Sequence, residues 1–490
     1  MPQLSPTVAD LIDTARRARI AIGRSEAEAL QVTVRDLLAC FRTVEEHQPE
    51  APGDAVPVRT TAAAAPRTVE RCQVAITEPG ASANALRAWQ QRYRIEERIG
   101  PLTGMTVAVK DCIAVSGVPM SLGLRDVQYR PRRDAAVVRM LVHAGAALVG
   151  TSTCEALCLS GGSHTAATGP VGNPWDPDRS SGGSSSGSAV LAALGAVDLA
   201  IGTDQAGSVR IPGAWCGVYG LKPSRGAVPY EGAFSIHPRL DHIGLLARDP
   251  VLLANVWSEL CSRPHQPESG LPTRIALLRE GFGRPESERD VDTHVYRLAD
   301  RLTRMGVTVE EASVPLHDQA PDAVSVLVLA GLADLLRGLD DDAGPLGVLA
   351  SVIASVLRVP DGPVTVVATA LAALWAQTTG LTERAARAHA LGNRASAAYD
   401  QVFARADAIL LPTVPMRAPR LPPANAWPAQ LVRVGRGASR NTAPFNLTGH
   451  PAITVPCRTP GLPIGAMLVA RHGADDLLVR LAGQLGLSPA

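Results

Sequence analysis

The sequence predicts an α/β protein, a mixed β-sheet covered by helices, preceded by a small α-helical N-terminal domain. Three observations carry this. From about Ile99 onward, short apolar stretches of strand length alternate with longer amphipathic ones. The first 45 residues show helical periodicity only. A chain of 490 residues, 46% apolar and 19% charged, has the material for a large core.

Taken in order, residues 7 to 45 read as two amphipathic helices. The second opens on Ser25 and Glu28 as a capping box and carries Leu30, Val34, Leu37, Leu38 and Phe41 on one face. Such a face must be covered, and a homodimer formed through it is the expectation. The Pro/Ala-rich stretch from Pro49 to Pro66 has no periodicity and reads as a linker. Residues 1–95 are therefore assigned to a helical extension with its linker, and 96–490 to the main domain. There, Met105 to Val109 reads as a strand, Asp134 to Ala144 as a helix and Ala147 to Val149 as a strand. The alternation returns at Arg274 to Leu278, a helix from Asp290 to Met305, and Val307 to Glu310. The Ala/Leu/Val-rich segment from about Pro321 to Ala398 reads as helices laid over the sheet and shaping a pocket.

Composition narrows the function. A net charge of +1 with no basic block argues against nucleic acid or an anionic membrane as partner. The apolar runs around 343–357 and 363–376 stop short of the roughly 20 residues that span a bilayer. Asp10, Asp13, Arg16 and Arg17 stand where a signal peptide would be apolar, so a cytoplasmic location is expected. Eight cysteines without a CxxC pair indicate neither a zinc ribbon nor a disulfide framework. Cys154 and Cys158 are spaced to share a helix face, but no His pair accompanies them, so no metal site is expected.

The chain has only two lysines, Lys110 and Lys222, against 45 arginines. Either compositional drift spared them, or each does something arginine cannot, such as giving up its proton. Lys110 ends the apolar strand Val107-Ala-Val-Lys110, where burial would lower its pKa and make it a base. Ser180-Ser-Gly-Gly-Ser-Ser-Ser-Gly-Ser188 runs straight into a helix-forming segment, so its amides gather at a helix N-terminus. Gly183 to Gly187 also fits a GxSxG elbow centred on Ser185, but Asp176-Pro-Asp-Arg-Ser-Ser precedes it where an elbow needs a buried strand. Leu199-Ala-Ile-Gly-Thr-Asp-Gln-Ala-Gly-Ser208 supplies a better nucleophile: an apolar strand, a Gly-rich turn, then serine. The amides of Gln205, Ala206, Gly207 and Ser208 can converge there as an oxyanion hole, which acyl transfer needs.

These stretches, with Cys216-Gly-Val-Tyr-Gly-Leu-Lys-Pro223 and Asn441-Thr-Ala-Pro-Phe-Asn-Leu-Thr-Gly-His-Pro451, resemble the amidase signature family from about residue 96 to the end. The helical extension, Asn173-Pro-Trp-Asp176, Tyr230-Glu-Gly-Ala-Phe234 and Arg279-Glu-Gly-Phe-Gly283 are most similar to the bacterial amidases of nitrile degradation. The resemblance implies the amidase signature fold and a catalytic triad of Lys110, Ser184 and Ser208. Ser184 would be the bridging serine, the one the family holds by a cis peptide bond. Asp204 and Arg210 would support the loop, and Lys222 would be structural. It further implies hydrolysis of a small carboxamide through a Ser208 acyl-enzyme, with no metal or organic cofactor. Cys158 and Leu159 stand where relatives line the acyl pocket, and a core role suits them equally. Ala206 and Ser186 depart from the family's usual glycines. An acyltransferase in a biosynthetic pathway, sharing the same acyl-enzyme, is the alternative, and one component of an amidotransferase, working with a protein partner, is a third.

Overall fold

In a computed structural model of the chain, the described residues are 5–49, 74–97, 99–125, 129–261, 273–337, 362–423, 425–457 and 459–487, with Pro66, Val127, Ile353 and Leu357. Apolar stretches that can satisfy their backbone only by pairing with one another build one sheet of eleven strands. They are β1 (Trp89–Ile95), β2 (Thr106–Lys110), β3 (Ala147–Ser152), β4 (Leu199–Asp204), β5 (Tyr219–Lys222) and β6 (His242–Ala247). The second half supplies β7 (Arg274–Leu278), β8 (Thr308–Ala312), β9 (Ala408–Pro412), β10 (Ala452–Cys457) and β11 (Ile464–Ala470). Their order is β1-β3-β2-β4-β6-β5-β10-β11-β9-β7-β8. β3, β2 and β4 run parallel, as do β9, β7 and β8, and antiparallel pairs join the two groups.

The near-continuous apolar runs of β3 and β4 are buried along their whole length, as strands covered by helices on both faces must be. Helix Ala136–His143 makes the crossover from β2 to β3, and Ser186–Ala193 the one from β3 to β4. Both strands that carry candidate chemistry, β2 and β4, end on the same edge. In an open α/β sheet, ligands bind beyond the carboxyl ends of parallel strands.

Three sequence expectations change. First, β1 pairs antiparallel with β3, so the sheet begins inside the segment assigned to the helical extension, before residue 96. Second, the N-terminal unit is three helices, Val8–Arg17, Arg24–Leu38 and Cys40–Glu45. The second is capped at Gly23, whose amide donates to Glu26 Oε2 at 2.7 Å, while Glu28 pairs instead with Arg24. Glu26 is the residue three positions after the cap and so the one that can reach back. Third, the apolar face that seemed to call for a second copy is covered by the chain itself. Val34 and Phe41 are fully buried, and these helices pack on Ala320–Arg337, Val364–Gln377 and Leu381–Phe403. Arg384 lies over the Phe41 ring at 4.5 Å and pairs with Glu45 at 2.7 Å. This face therefore gives no grounds for a homodimer.

Linker positions 50–65 lie outside the described residues, as does the run 343–357 apart from Ile353 and Leu357. By length and composition one stretch among the described residues, Pro315–Arg337, would suffice to cross a membrane, and 56% of its most apolar window is buried within the protein.

Candidate active site

The parallel register pairs Val107 with Leu199, Ala108 with Ala200 and Val109 with Ile201. Lys110 is thus carried to the strand end beside Thr203. Fully buried, its Nζ donates to Thr203 Oγ1 at 2.9 Å and to Ser184 Oγ at 2.8 Å. Ser184 follows a cis peptide bond from Gly183 and lies just ahead of helix Ser186–Ala193. The next residue, Ser185, donates its amide to the Ser208 carbonyl at 3.1 Å and its hydroxyl to the Thr203 carbonyl at 3.2 Å. Ser185 therefore ties the Ser/Gly loop to the β4 turn, and Ser208, 8% exposed, opens on a cavity of about 160 Å³. Cys158, Leu159, Gln205 and Ala206 line that cavity too.

The β4 turn is held by a buried ion pair. Asp204 accepts from Arg210 Nη2 at 2.9 Å and Nε at 3.0 Å, from the Gly207 amide at 2.8 Å and the Val209 amide at 3.1 Å, and from Asn446 Nδ2 at 2.9 Å. Burial works against this carboxylate, but the Arg210 guanidinium and then Asn446 prevail and hold it below the usual carboxylate range. Gly207, at φ +130°, has no room for a Cβ, which would strike Thr442. Its amide is spent on Asp204, so Gly207 does not join the oxyanion set expected from sequence. Ala206 is fixed through its carbonyl, which accepts from Thr442 Oγ1 at 2.6 Å.

Lys110 departs from the expected lowered pKa. Burial does favour its neutral amine, but the Cys158, Cys112 and Cys154 thiols face it and the net displacement is upward. Lys222 behaves oppositely: burial, then Arg210, pushes it well below the ordinary lysine value, and its Nζ donates to the Pro223 carbonyl at 2.9 Å. Next to Lys110, burial raises Asp111 to about 7 against hydrogen bonds from Ser121.

Sequence reasoning missed Thr203, Cys112 and the part of the cavity wall outside the 321–398 helices, which it expected to shape a pocket and which supply Val328 and Thr365. Thr203 stood in the β4 motif, and its position one step past the strand register was the available signal. Cys154 and Cys158 do not share a helix face, because the chain makes only a short turn at Ala156–Cys158. The wall draws Leu37 from the N-terminal helices, Val328 and Thr365 from the covering helices and Val432 from helix Pro428–Arg436.

A family model described as Amidase matches residues 60–479. The chain belongs to the amidase family. As a member it is an amide-hydrolysing enzyme, and the sheet and flanking helices match those of solved amidases. It is 36% identical to an enantioselective amidase of Rhodococcus rhodochrous, covering 82% of this chain and 83% of that one. Among solved structures, it resembles a glutamyl-tRNA(Gln) amidotransferase subunit of Thermotoga maritima with a TM-score of 0.67 at 25% identity, over 83% of this chain and 89% of that one. It also resembles the peptide amidase of Stenotrophomonas maltophilia, with a TM-score of 0.61 at 26% identity over 78% and 82% of the two chains.

Proposed function

We propose that this amidase hydrolyses a small carboxamide through an acyl-enzyme on Ser208, with Ser184 and Lys110 moving the protons. The observation that carries the reading is the 2.8 Å contact between Lys110 Nζ and Ser184 Oγ at the edge of a cavity that Ser208 faces. In this reading the minor unprotonated form of Lys110, whose pKa stands above the ordinary lysine value, takes the Ser184 proton, and Ser184 takes one from Ser208 as that oxygen attacks the carbonyl carbon. The amides of Gln205, Ala206 and Ser208 receive the charge that develops on the carbonyl oxygen. The relay then reverses to protonate the leaving amine, and water repeats the attack to free the acid.

The cavity volume of about 160 Å³ suits an acyl group of a few heavy atoms. Gln205 Nε2 donates to Tyr230 at 2.8 Å, while its Oε1 is buried without a partner among the described residues. An amide with an N–H near the acyl carbon would satisfy it. The seven described cysteines are all free thiols, which supports a reducing, cytoplasmic setting.

The test is a fluorophosphonate probe with peptide mapping: Ser208→Ala should abolish labelling and Ser185→Ala should leave most of it. Label on Ser185 would overturn the reading. A second reading, transfer of the acyl group to an amine, is favoured by Ala206, whose side chain stands in the cavity wall where the family has glycine. Millimolar hydroxylamine should leave the acid as the main product. Predominant hydroxamate would make transfer the primary activity.

A further inference from the structure

Three thiols stand together beside the relay, and amide hydrolysis uses none of them. Cys112 follows β2 by two residues, Cys154 follows β3 by two, and Cys158 closes the short turn after it. The parallel register pairs Lys110 with Ser152, so Cys112 and Cys154, each two residues farther on, leave adjacent strands side by side, and Cys158 follows on the short turn, with Lys110 acting on it as a charged neighbour. Cys112 Sγ is also 3.5 Å from Thr203 Oγ1, the second partner of Lys110. Leu157 and Cys158 both adopt left-handed backbone, φ +48° and +58°, which side-chain-bearing residues avoid unless their surroundings enforce it. Of the three, Cys158 alone lines the cavity that Ser208 faces. Among the described residues no group of His, Cys, Asp and Glu is arranged to hold a metal ion, so the cluster does not form a metal site.

We propose that Cys158 is a site of reversible oxidation by hydrogen peroxide, closed by a disulfide to Cys112 or Cys154. Reactive thiols sit where a positive charge and an access route meet, and Cys158 has Lys110 for the one and the cavity for the other. Peroxide is close to water in size and fits the space. The Cys158 sulfur, as thiolate, attacks one peroxide oxygen; the S–O bond forms, the O–O bond breaks, and hydroxide leaves to become water on protonation. The resulting sulfenic acid is attacked by the neighbouring thiol; the S–S bond forms, the S–O bond breaks, and the departing hydroxide takes that thiol's proton as a second water. Two thiols have then lost two electrons and two protons, and one peroxide has become two waters. The division of labour within the cluster agrees. Cys112 and then Cys154 hold the Cys158 thiol well below its ordinary pKa, while both of them are pushed up. Elsewhere, burial alone raises Cys216 and lifts Cys457 to about 12, so those sites serve as internal controls.

The experiment uses the full native chain. It is exposed to hydrogen peroxide near stoichiometry, denatured, blocked with N-ethylmaleimide and digested with trypsin. Cleavage after Lys110 and Arg125 isolates Cys112, whereas Cys154 and Cys158 share the fragment between Arg139 and Arg179. The expected result is either that shared fragment two hydrogens lighter and unblocked, or a cross-link between the two fragments, in both cases reversed by dithiothreitol. In a Cys112→Ser/Cys154→Ser chain the reaction should stop at the sulfenic acid, and dimedone should tag Cys158. Recovery of Cys158 as the maleimide adduct after peroxide, or oxidation of Cys216 and Cys457 ahead of it, would overturn the proposal. The thiol map is independent of which serine carries the acyl group, so it can fail without the amidase reading failing, and the reverse.

Discussion

Replacing Lys110 with arginine separates charge from proton transfer, and the second lysine supplies the control. Both lysines are fully buried, so either substitution forces a larger cation into closed space, at about 1–3 kcal/mol for overpacking. At position 110 the site already favours a cation, because the Cys158, Cys112 and Cys154 thiols outweigh burial, and an arginine there adds no new charge. At position 222 burial and Arg210 favour a neutral amine, so Lys222→Arg adds an obligatory charge and should lose more stability. Function should rank the other way. Lys110, held above the ordinary lysine value, is neutral at pH 7 in fewer than the roughly one molecule in 2,500 of an ordinary lysine, yet its amine can still take a proton, whereas a guanidinium with pKa above about 12 cannot. Loss of a general base at the 2.8 Å contact with Ser184 should lower kcat by about 10²–10⁴-fold. Urea unfolding of both variants, together with the rate of fluorophosphonate capture at Ser208, gives the two orderings. A Lys110→Arg enzyme that keeps more than about a tenth of the wild-type rate refutes proton transfer as the role of this residue.

Other outcomes follow from the same geometry. Asp204→Asn strands the buried Arg210 cation and should cost about 3–5 kcal/mol in urea unfolding, along with most capture at Ser208. Because the folded Asp204 pKa lies below its unfolded value of about 3.9, its contribution is present above that pH and lost as pH falls through the folded value. The wild-type and variant stabilities should accordingly converge in acid, and a constant gap would contradict the ion pair. Cys158→Ala removes the thiol with the largest upward influence on Lys110 and leaves Cys112 and Cys154 in place. The acid limb of the kcat/KM profile should move to lower pH, and an unmoved or higher limb would rule out the thiol as the influence on the base.

The chemistry was legible because it sits in short segments whose neighbours in sequence are its neighbours in space. An apolar strand ending in Lys110, or one turning into Gly207-Ser208, announces itself locally. β7, β8 and the helix between them were equally readable, since of the apolar face expected there Val291, Val295 and Leu302 are buried and Leu298 is partly buried against the core. β1 was not, because Trp-Gln-Gln-Arg-Tyr-Arg-Ile alternates only weakly and sits at the sheet edge, paired with β3 and otherwise bridged at Arg92 to Thr77. The fate of the Gly207 amide was hidden as well: a glycine-rich turn advertises free donors, and only the folded turn shows that the Asp204 carboxylate has claimed one. The upward displacement of Lys110 depends on Cys112, Cys154 and Cys158, which are brought together by two adjacent parallel strands, a juxtaposition no local pattern encodes.

That contrast divides the enzyme into two parts with different freedoms. Lys110, Ser184, Ser208 and Asp204 sit at strand ends and in a loop that the sheet register and a buried ion pair fix, so in the proposed reading small displacements there reach the reacting atoms. The cavity wall instead comes from Leu37, Val328, Thr365 and Val432, on helices that pack against one another and can be repacked without touching the register. In the proposed reading, the same helices that hide the apolar face of residues 30 to 41 close the acyl site, and the N-terminal helices would take part in substrate choice as a piece of the wall. A large-to-small change at Leu37 enlarges the space where an acyl chain lies, while the fixed demands stay where they are: a carbonyl within reach of Ser208 and an N–H for the buried Gln205 oxygen, which costs about 1–3 kcal/mol if left unsatisfied. On that reading, selectivity among acyl groups would follow the helices, and the requirement for an amide would follow the sheet.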